Sequence, residues 1–465
     1  MSKVAIVGGG IAGLAAAHVL AKRGIAFRLF EAAPTFGGVI RSERRDGFLM
    51  EGGPDAMLAQ KPEGLALCAE LGLTDRLVPT NPQQRAVFVL LKGRLHPLPE
   101  GMMLAVPTRI LPFLTSGLFS WPGKLRMGLD LVIPARRETG DESIARFLRR
   151  RFGQEAVARL GEPLLAGIHS GDPERLSMEA TFPRFVDLEQ RHGSLIRGLW
   201  SAPRKETPGA PPASAFLSLQ GGLGDLVAAL VGRLPPEGLR SGCAVRSIVK
   251  TEKGFTLGVE GLEPVAARAV IVASPAPKAA PLVAPLDESL GRGLAEIPFA
   301  SSATVLLGYS REDVSNPLAG YGMVIPKTEG LRTTALSFFS TKFPGRAPDG
   351  SVLLRAFVGG ARDPSVLDLD DDALASLVVD EMRTVLGLQG RPRMVRVYRW
   401  PKGTPQMEVG HMARVAALES RAALVPGLFL TGAGFRVTGI PDVVGDARRT
   451  AEQAATFLER TAATP

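Results

Sequence analysis

Residues 4–13 read VAIVGGGIAG, and LAAAHVLAKRG follows at once over 14–24. Val4 to Val7 form a short apolar run suited to a strand buried on both faces of a parallel sheet. Gly8, Gly10 and Gly13 then fall at the G-x-G-x-x-G spacing. The first glycine permits a tight turn, the second lets backbone approach a pyrophosphate, and the third lets a helix pack closely on the strand. A helix over 13–23 turns the positive end of its dipole towards that pyrophosphate. A second strand, AFRLFE, ends in Glu31, 18 residues past Gly13, where a carboxylate can accept ribose hydroxyls. Glycines alone are a weak signal in a chain that has 53 of them among 465 residues. Strand, glycines, helix, strand and terminal acid in this order specify a dinucleotide site, and the rest of the chain must decide between NAD and FAD.

Size and composition bound the answer. A chain of 465 residues that is 45% hydrophobic buries large cores and divides into several domains. Its two cysteines, Cys68 and Cys243, are far apart and in no C-x-x-C pattern, which points away from a metal centre or disulfide framework and towards a reducing compartment. The first apolar run is already needed for the nucleotide fold, so no signal peptide is expected. The nearest approach to a membrane span, 102–121, is broken by Pro107, Arg109 and Pro112, well short of the roughly 18 unbroken apolar residues required. A cytoplasmic protein is expected.

The net charge of +9 is uneven. Residues 101–151 carry nine Lys or Arg against four acids, a local excess of +5. Two readings stand: a solvated helical face, or a basic surface resting peripherally on an anionic membrane from its inner side. Nucleic acid is not an expected partner, because no binding motif is present and aromatics are only 6%. The oligomeric state is open, with a homodimer among the choices.

Further along, helical texture is expected over 60–78 and through most of 101–200, with a strand at 86–91. The Pro-rich APRKETPGAPPA (202–213) reads as an exposed loop. LSLQGGLGDL leads into a helix, followed by a strand near Val245, a strand at 255–260 and AVIVASPAP (269–277). Beyond residue 300, ATVLLGY, RTTALSF, VLLRAFVG and MVRVYR read as a mostly antiparallel sheet. The chain ends in a strand, the glycine loop TGAGFRVTGIPD and a long helix. The strands near 245 and 270 and the final strand share the buried-parallel texture of the first. The fold class expected is therefore α/β and α+β: a discontinuous Rossmann-like dinucleotide domain (1–95, 215–290 and 405–465), a mainly helical insert (96–214) and an antiparallel-sheet substrate domain (291–404).

Three features favour FAD. Gly37 and Gly38 follow the ribose acid closely, the C-terminal TGAG loop opens a helix suited to the far end of an extended cofactor, and only one complete fingerprint is present. GGGIAGLAAA, FGGVIRS, EGGP, AVIVASPA and TGAG together resemble the flavin-containing monoamine oxidase superfamily. EPLLAGIHSGDPERLSM (162–178), LSLQGGLGDL and YGMVIP (321–326) resemble, within it, the protoporphyrinogen oxidases. The resemblance runs through nearly the whole chain. It implies FAD bound without a covalent link, with Gly8, Gly9, Gly10, Ile11, Ala12, Gly13, Glu31 and Ala32 at the pyrophosphate and adenosine ribose. Val39, Gly53, Pro54, Asp55 and Ala56 would line the cofactor, and Val245 would present its backbone to the adenine. Gly432, Ala433, Thr438, Gly439 and Ile440 would surround the pyrophosphate and ring end, with Trp400 flanking the isoalloxazine. Gly167, Tyr321, Val324 and Phe357 match family positions around the substrate. One position departs from the pattern: Val87 stands where the family often has an arginine for a substrate propionate, and Arg85, two residues earlier, is either the substitute that meets it or an exposed edge arginine.

The same resemblance implies the activity, oxidation of protoporphyrinogen IX to protoporphyrin IX in haem synthesis. Six electrons leave in three two-electron steps, with oxygen as acceptor and hydrogen peroxide as product. A hydride leaves a meso carbon, and the pyrroles delocalise the resulting cation. The protein need mainly position the substrate, so no catalytic side chain and no metal is expected. The five histidines (His18, His96, His169, His192, His411) accordingly form no cluster. The alternatives are coproporphyrinogen III oxidation, another flavoenzyme such as an amine oxidase or carotenoid desaturase, and a non-enzymatic binding protein on the same fold.

Overall fold

The computed structural model describes residues 3–138, 140–201 and 214–463, so the 202–213 loop lies outside the described residues. A five-stranded parallel sheet runs in the order Leu239–Arg240, Phe27–Phe30, Val4–Val7, Ala269–Val272, Leu428–Leu430. Every side chain of Val4–Val7 and Ala269–Val272 is buried, because both faces are covered. Val4, Ile6, Leu29 and Ile271 pack under the helices Ile11–Lys22, Pro62–Glu70 and Ile440–Ala463. Ala5, Val7, Phe30 and Val270 pack on the other side against a small antiparallel sheet and the helices Ala276–Val283 and Glu288–Ala295.

That small sheet corrects one expectation. Val245–Thr251 is not a strand of the parallel sheet. It pairs antiparallel with Gly254–Val259, which pairs in turn with Val265–Ala267. Only Ile248 of Val245–Thr251 is buried, while Arg246, Ser247, Val249, Lys250 and Thr251 are exposed, so this strand lies at the surface and is not enclosed on both faces as the parallel strands are. The helix expected over 60–78 also ends early, at Glu70, where Gly72 adopts φ +73°.

The second sheet has seven strands in the order Met394–Pro405, Phe299–Ser310, Ser351–Gly359, Thr333–Phe338, Gly322–Val324, Val87–Leu91, Arg94–Pro97. All neighbours are antiparallel except Gly322–Val324 with Val87–Leu91. The strand around 86–91 and its hairpin partner thus belong to this sheet. Ala303, Val305, Leu307, Leu354 and Ala356 bury one face under the helix Asp371–Leu386. The alternate residues Thr304, Leu306, Arg355 and Phe357 look the opposite way, towards the glycine loops and the helical insert.

The insert is built of short helices around an apolar core that includes Phe113, Phe147, Phe152 and Leu160. Its basic residues are largely engaged inside the protein. Arg151 is fully buried against Asp130, and its guanidinium also donates to the carbonyls of Ile133, Pro134, Asp130 and Gly193 at 2.9–3.1 Å. Arg150 pairs with Glu142 and Glu189, Arg149 with Glu174, Arg136 with Glu138 and Glu142, and Arg109 with Glu100. Arg126 caps the carbonyls of residues 149–151, and Lys124 reaches the Leu114 carbonyl. Apolar side chains of the insert are exposed as well: Leu111, Leu125 and Val132 are 72%, 73% and 71% exposed, with Ile110, Trp121 and Leu129 beside them in sequence.

Asp130 also accepts from the Ser194 hydroxyl at 2.6 Å and the Ile196 N–H at 3.0 Å. Asp130→Ala is expected to cost about 3–5 kcal/mol, because it strands a buried guanidinium. The check is the urea midpoint at unchanged slope. A cost within the ~0–1 kcal/mol of surface pairs would mean that Arg151 is solvated.

Candidate active site

The glycines of the opening loop differ in what surrounds them. A Cβ on Gly13 would lie 1.9 Å from the Gly8 carbonyl oxygen, so only glycine lets the helix sit this close to the strand. Gly8 has φ +110° and backs onto the Ala273 backbone. Gly10 caps the helix with extended backbone (φ −73°, ψ −176°), and a Cβ there would meet nothing within 4 Å. The open space therefore lies at the glycine that the spacing assigns to pyrophosphate. The helix beyond it has no acidic residue in its first turn, which leaves its positive end available to an anion.

The other predicted cofactor residues close around this loop. Glu31 ends its strand with one carboxylate oxygen accepting from Gly9 N–H and the other from Ala33 N–H, each at 2.7 Å. These bonds orient the carboxylate and leave it lone pairs for hydroxyls. Ala32 is exposed beside it, and Val245 follows a segment whose Gly242 and Cys243 N–H groups donate to the carbonyls of Ala33 and Glu31. Gly37 N–H donates to Gly9 O, and a Cβ on Gly38 would lie 3.3 Å from Gly10 Cα. Val39 is exposed, an open apolar side chain at the edge of the loop. Gly53 crosses it so closely that a Cβ would lie 1.8 Å from the Val39 carbonyl oxygen. Trp400 donates its indole N–H to Gly52 O at 2.9 Å. From the far end, Gly432 approaches Ala12 and Ala273, Ala433 bridges to Val437, and Thr438 and Gly439 lead into the helix at Ile440. The residues thus form one continuous track from Glu31 through Gly10 and Gly38 to Gly53 and Trp400, with Ile11 and Ala12 in its first helix turn.

Beyond Gly53 the track opens onto the seven-stranded sheet. Gly167, on the helix Glu162–His169, faces Ala335 and Val324, and a Cβ there would lie 2.9 Å from Ala335 Cβ. Phe357 pairs with Ala335 and Thr304 on the same face. Tyr321 borders this wall with its hydroxyl donating to Asn81 O, 2.9 Å from Thr80 Oγ1 as well. His169 sits edge-on to Phe182, and burial pushes its imidazole down to about 4. The ring is therefore neutral near pH 7. Arg85 does not lie on a strand: the strand begins at Val87, and the Arg85 Nε–H donates to the Pro82 carbonyl at 3.0 Å. Alternation along a strand therefore does not set where Arg85 points.

The sequence reading missed a charged cluster behind the Gly53 loop. Asp55 accepts from Lys342 Nζ at 2.8 Å and lies 3.4 Å from Arg355, whose guanidinium also donates to Gly53 O and stacks on the Phe357 ring. Burial works to raise the Asp55 carboxyl, but Lys342 and Arg355 outweigh it and hold the group below its usual range. Glu51, fully buried, is pushed up to about 7 by burial, against the Ser42 hydroxyl, the Leu223 N–H and the cations Arg346 and Arg355. The signal was available: Arg355 interrupts the apolar strand VLLRAFVG, where an unpaired charge is costly.

The model of the flavin-containing amine oxidoreductases matches residues 11–455. The chain belongs to the flavin-containing amine oxidoreductase family. As a member of it the protein is a flavoprotein oxidoreductase that takes FAD. Over 98% of both chains it is 36% identical to a coproporphyrinogen III oxidase of Bacillus subtilis. A chloroplastic protoporphyrinogen oxidase of Nicotiana tabacum is 32% identical over 98% of this chain and 86% of its own. Among solved structures, a putative protoporphyrinogen oxidase from Exiguobacterium superposes with a TM-score of 0.87 at 30% identity, over 98% of this chain and 99% of that one. A cyclohexylamine oxidase from Brevibacterium oxydans shares the fold alone, with a TM-score of 0.72 at 18% identity.

Neither cysteine is placed to attach a flavin ring. Cys68 is buried with its thiol pushed up to about 11, and Cys243 lies at the Glu31 end of the track. Since Gly10 has ordinary backbone angles and free space at its Cβ, Gly10→Val should fold normally while filling the pyrophosphate position. The expected product is a colourless protein with parental circular dichroism. A purified Gly10→Val protein with a full complement of FAD would show that the pyrophosphate lies elsewhere.

Proposed function

We propose that the protein oxidises a porphyrinogen to the corresponding porphyrin, with protoporphyrinogen IX as the expected substrate. What supports this reading is the whole-length similarity to porphyrinogen oxidases, together with the Gly53 loop, which meets Arg355 and through it the Phe357 face of the seven-stranded sheet, an apolar surface suited to a flat macrocycle. Bound FAD supplies the hydride acceptor for each of three two-electron oxidations, and molecular oxygen is the final acceptor.

The chain's own residues position and enclose. Gly167 lets its helix approach the sheet to van der Waals distance at Ala335, which fixes the helical insert beside the Phe357 face. Phe357 and Val324 present apolar surface to the macrocycle, and Trp400, fixed by its bond to Gly52, lies beside the Gly53 loop. The substrate cation is stabilised by its own pyrroles, which explains an apolar face without a paired acid and base.

Coproporphyrinogen III is the second reading. It is favoured by the cations Lys342, Arg346 and Arg355 behind the Gly53 loop, since its additional carboxylates need such partners. The relatives named coproporphyrinogen III oxidases, at 33–36% identity, point the same way. Anaerobic mixing with each porphyrinogen tests both readings. At least one should bleach the visible flavin absorbance and raise matching porphyrin fluorescence. No bleaching by either would contradict the proposal.

We further infer a peripheral contact between the insert and a membrane, made by apolar side chains and not by basic ones. Its support is the exposure of Leu111, Leu125 and Val132, together with the internal pairing of the neighbouring arginines. Trp121, with Lys124 4.5 Å over its ring, suits an interfacial position. Sedimentation with lipid vesicles should persist from low to high salt and fall in a Leu111→Glu, Leu125→Glu double variant. Release by salt, with the double variant unaffected, would favour a basic contact instead.

A further inference from the structure

Where a substrate carboxylate would be held is not answered by the position that the resemblance singles out. Val87, Gly322, Ser337 and Arg355 form one row across the sheet. The first three offer no cation. Arg355 stands three strand spacings from Val87, roughly 14 Å, is only 4% exposed, and is committed to Gly53 O and Asp55.

Lys342 is differently placed. It ends the short helix Phe339–Lys342, and its carbonyl accepts the Asn81 N–H at 2.9 Å. Asn81 is the residue whose own carbonyl accepts from Tyr321. Its ammonium meets Asp55, in the segment that follows Gly53. Lys342 therefore spans the gap between the Tyr321 wall and the FAD track. Its side chain is 16% exposed, and among the described residues Asp55 is its one hydrogen-bond and ion-pair partner, with the Phe343 and Phe216 rings 5.1 and 5.7 Å from the ammonium, so it keeps donor capacity for a ligand. The surrounding charge also asks for an anion. Lys342, Arg346 and Arg355 lie near Glu51 and Asp55, with Asp225 and Arg44 also acting on Arg346, and among the described residues Arg355 Nε, Arg346 Nε and Arg346 Nη1 are buried without a hydrogen-bond partner.

We propose that Lys342 binds one of the propionates that coproporphyrinogen III carries and protoporphyrinogen IX lacks, and that it thereby favours the substrate with more carboxylates. Asp55 holds the ammonium at the junction of wall and cofactor track, and Arg355 keeps Asp55 ionised when Lys342 turns to the ligand. The inference rests on the porphyrinogen reading above.

The test is binding of coproporphyrin III and protoporphyrin IX to the FAD-loaded protein, followed by porphyrin fluorescence, with KM and kcat measured for both porphyrinogens. Lys342→Met removes the charge at similar length, and Asp55 retains Arg355. This variant should keep its FAD and weaken coproporphyrin III binding about ten- to a hundredfold, the range of a charge-assisted hydrogen bond. Protoporphyrin IX should be affected several-fold less, and the loss should appear in KM more than in kcat. Lys342→Arg should recover most of the affinity. Equal weakening of both porphyrins, loss of FAD, or no change would overturn the assignment. So would a selective loss in Arg85→Ala with Lys342→Met unaffected, which would make Arg85 the anchor. Failure of the parent protein to bind either porphyrin would instead sink the porphyrinogen reading itself.

Discussion

The contact between Gly13 and the Gly8 carbonyl is the constraint on which the rest of the structure depends. With no Cβ at residue 13, the helix Ile11–Lys22 lies against the first strand and its N-terminus is aimed at the open space beside Gly10. A side chain there would push the helix off the sheet and turn its dipole away from that space. Everything downstream is arranged around the point so defined. Gly38 touches Gly10, Gly53 touches Val39, and Gly432 touches the first turn of the helix. Close backbone approach, repeated along one line, makes a groove for an extended cofactor whose protein contacts are largely main chain.

The two sheets are joined at the inner end of that groove by polar contacts. Trp400 and Arg355, both on strands of the seven-stranded sheet, donate to the carbonyls of Gly52 and Gly53. Buried carbonyls in a glycine turn have few alternatives to such donors. The bonds therefore fix the cofactor loop relative to the substrate wall, and with it the geometry on which hydride transfer depends. Gly167 does the same for the helical insert by letting it touch Ala335.

Much of this was legible in the sequence because it depends on local chemistry. The glycine spacing and Glu31 specify a nucleotide turn wherever they occur between a strand and a helix, and the four strands Phe299–Ser310, Thr333–Phe338, Ser351–Gly359 and Met394–Pro405 declare themselves by their apolar and β-branched composition. What escaped depends on partners distant in the chain. Val245–Thr251 is apolar enough to resemble a parallel strand, yet only its neighbours decide which sheet it joins. The parallel-sheet strand Leu239–Arg240 is two residues long and carries no pattern at all. Val87–Leu91 has the right composition for either sheet. The 101–151 segment shows the same limit for charge: a count of arginines cannot tell that Arg151 is buried on Asp130 while the leucines face outward. Lys342 looks like any surface lysine until the fold brings Asp55 to it.

The central claim is that the protein holds its cofactor through the dinucleotide part, at Glu31 and Gly10, and not through the flavin ring alone. The most direct measurement is a titration of the flavin-stripped protein with FAD and with FMN, followed by quenching of flavin fluorescence. FMN shares the ring but lacks the pyrophosphate bridge and the adenosine. The structure predicts tight, saturable binding of FAD at concentrations where FMN does not bind. Comparable affinity for the two would contradict the account, since the groove from Glu31 to Gly10 would then contribute nothing to holding the cofactor.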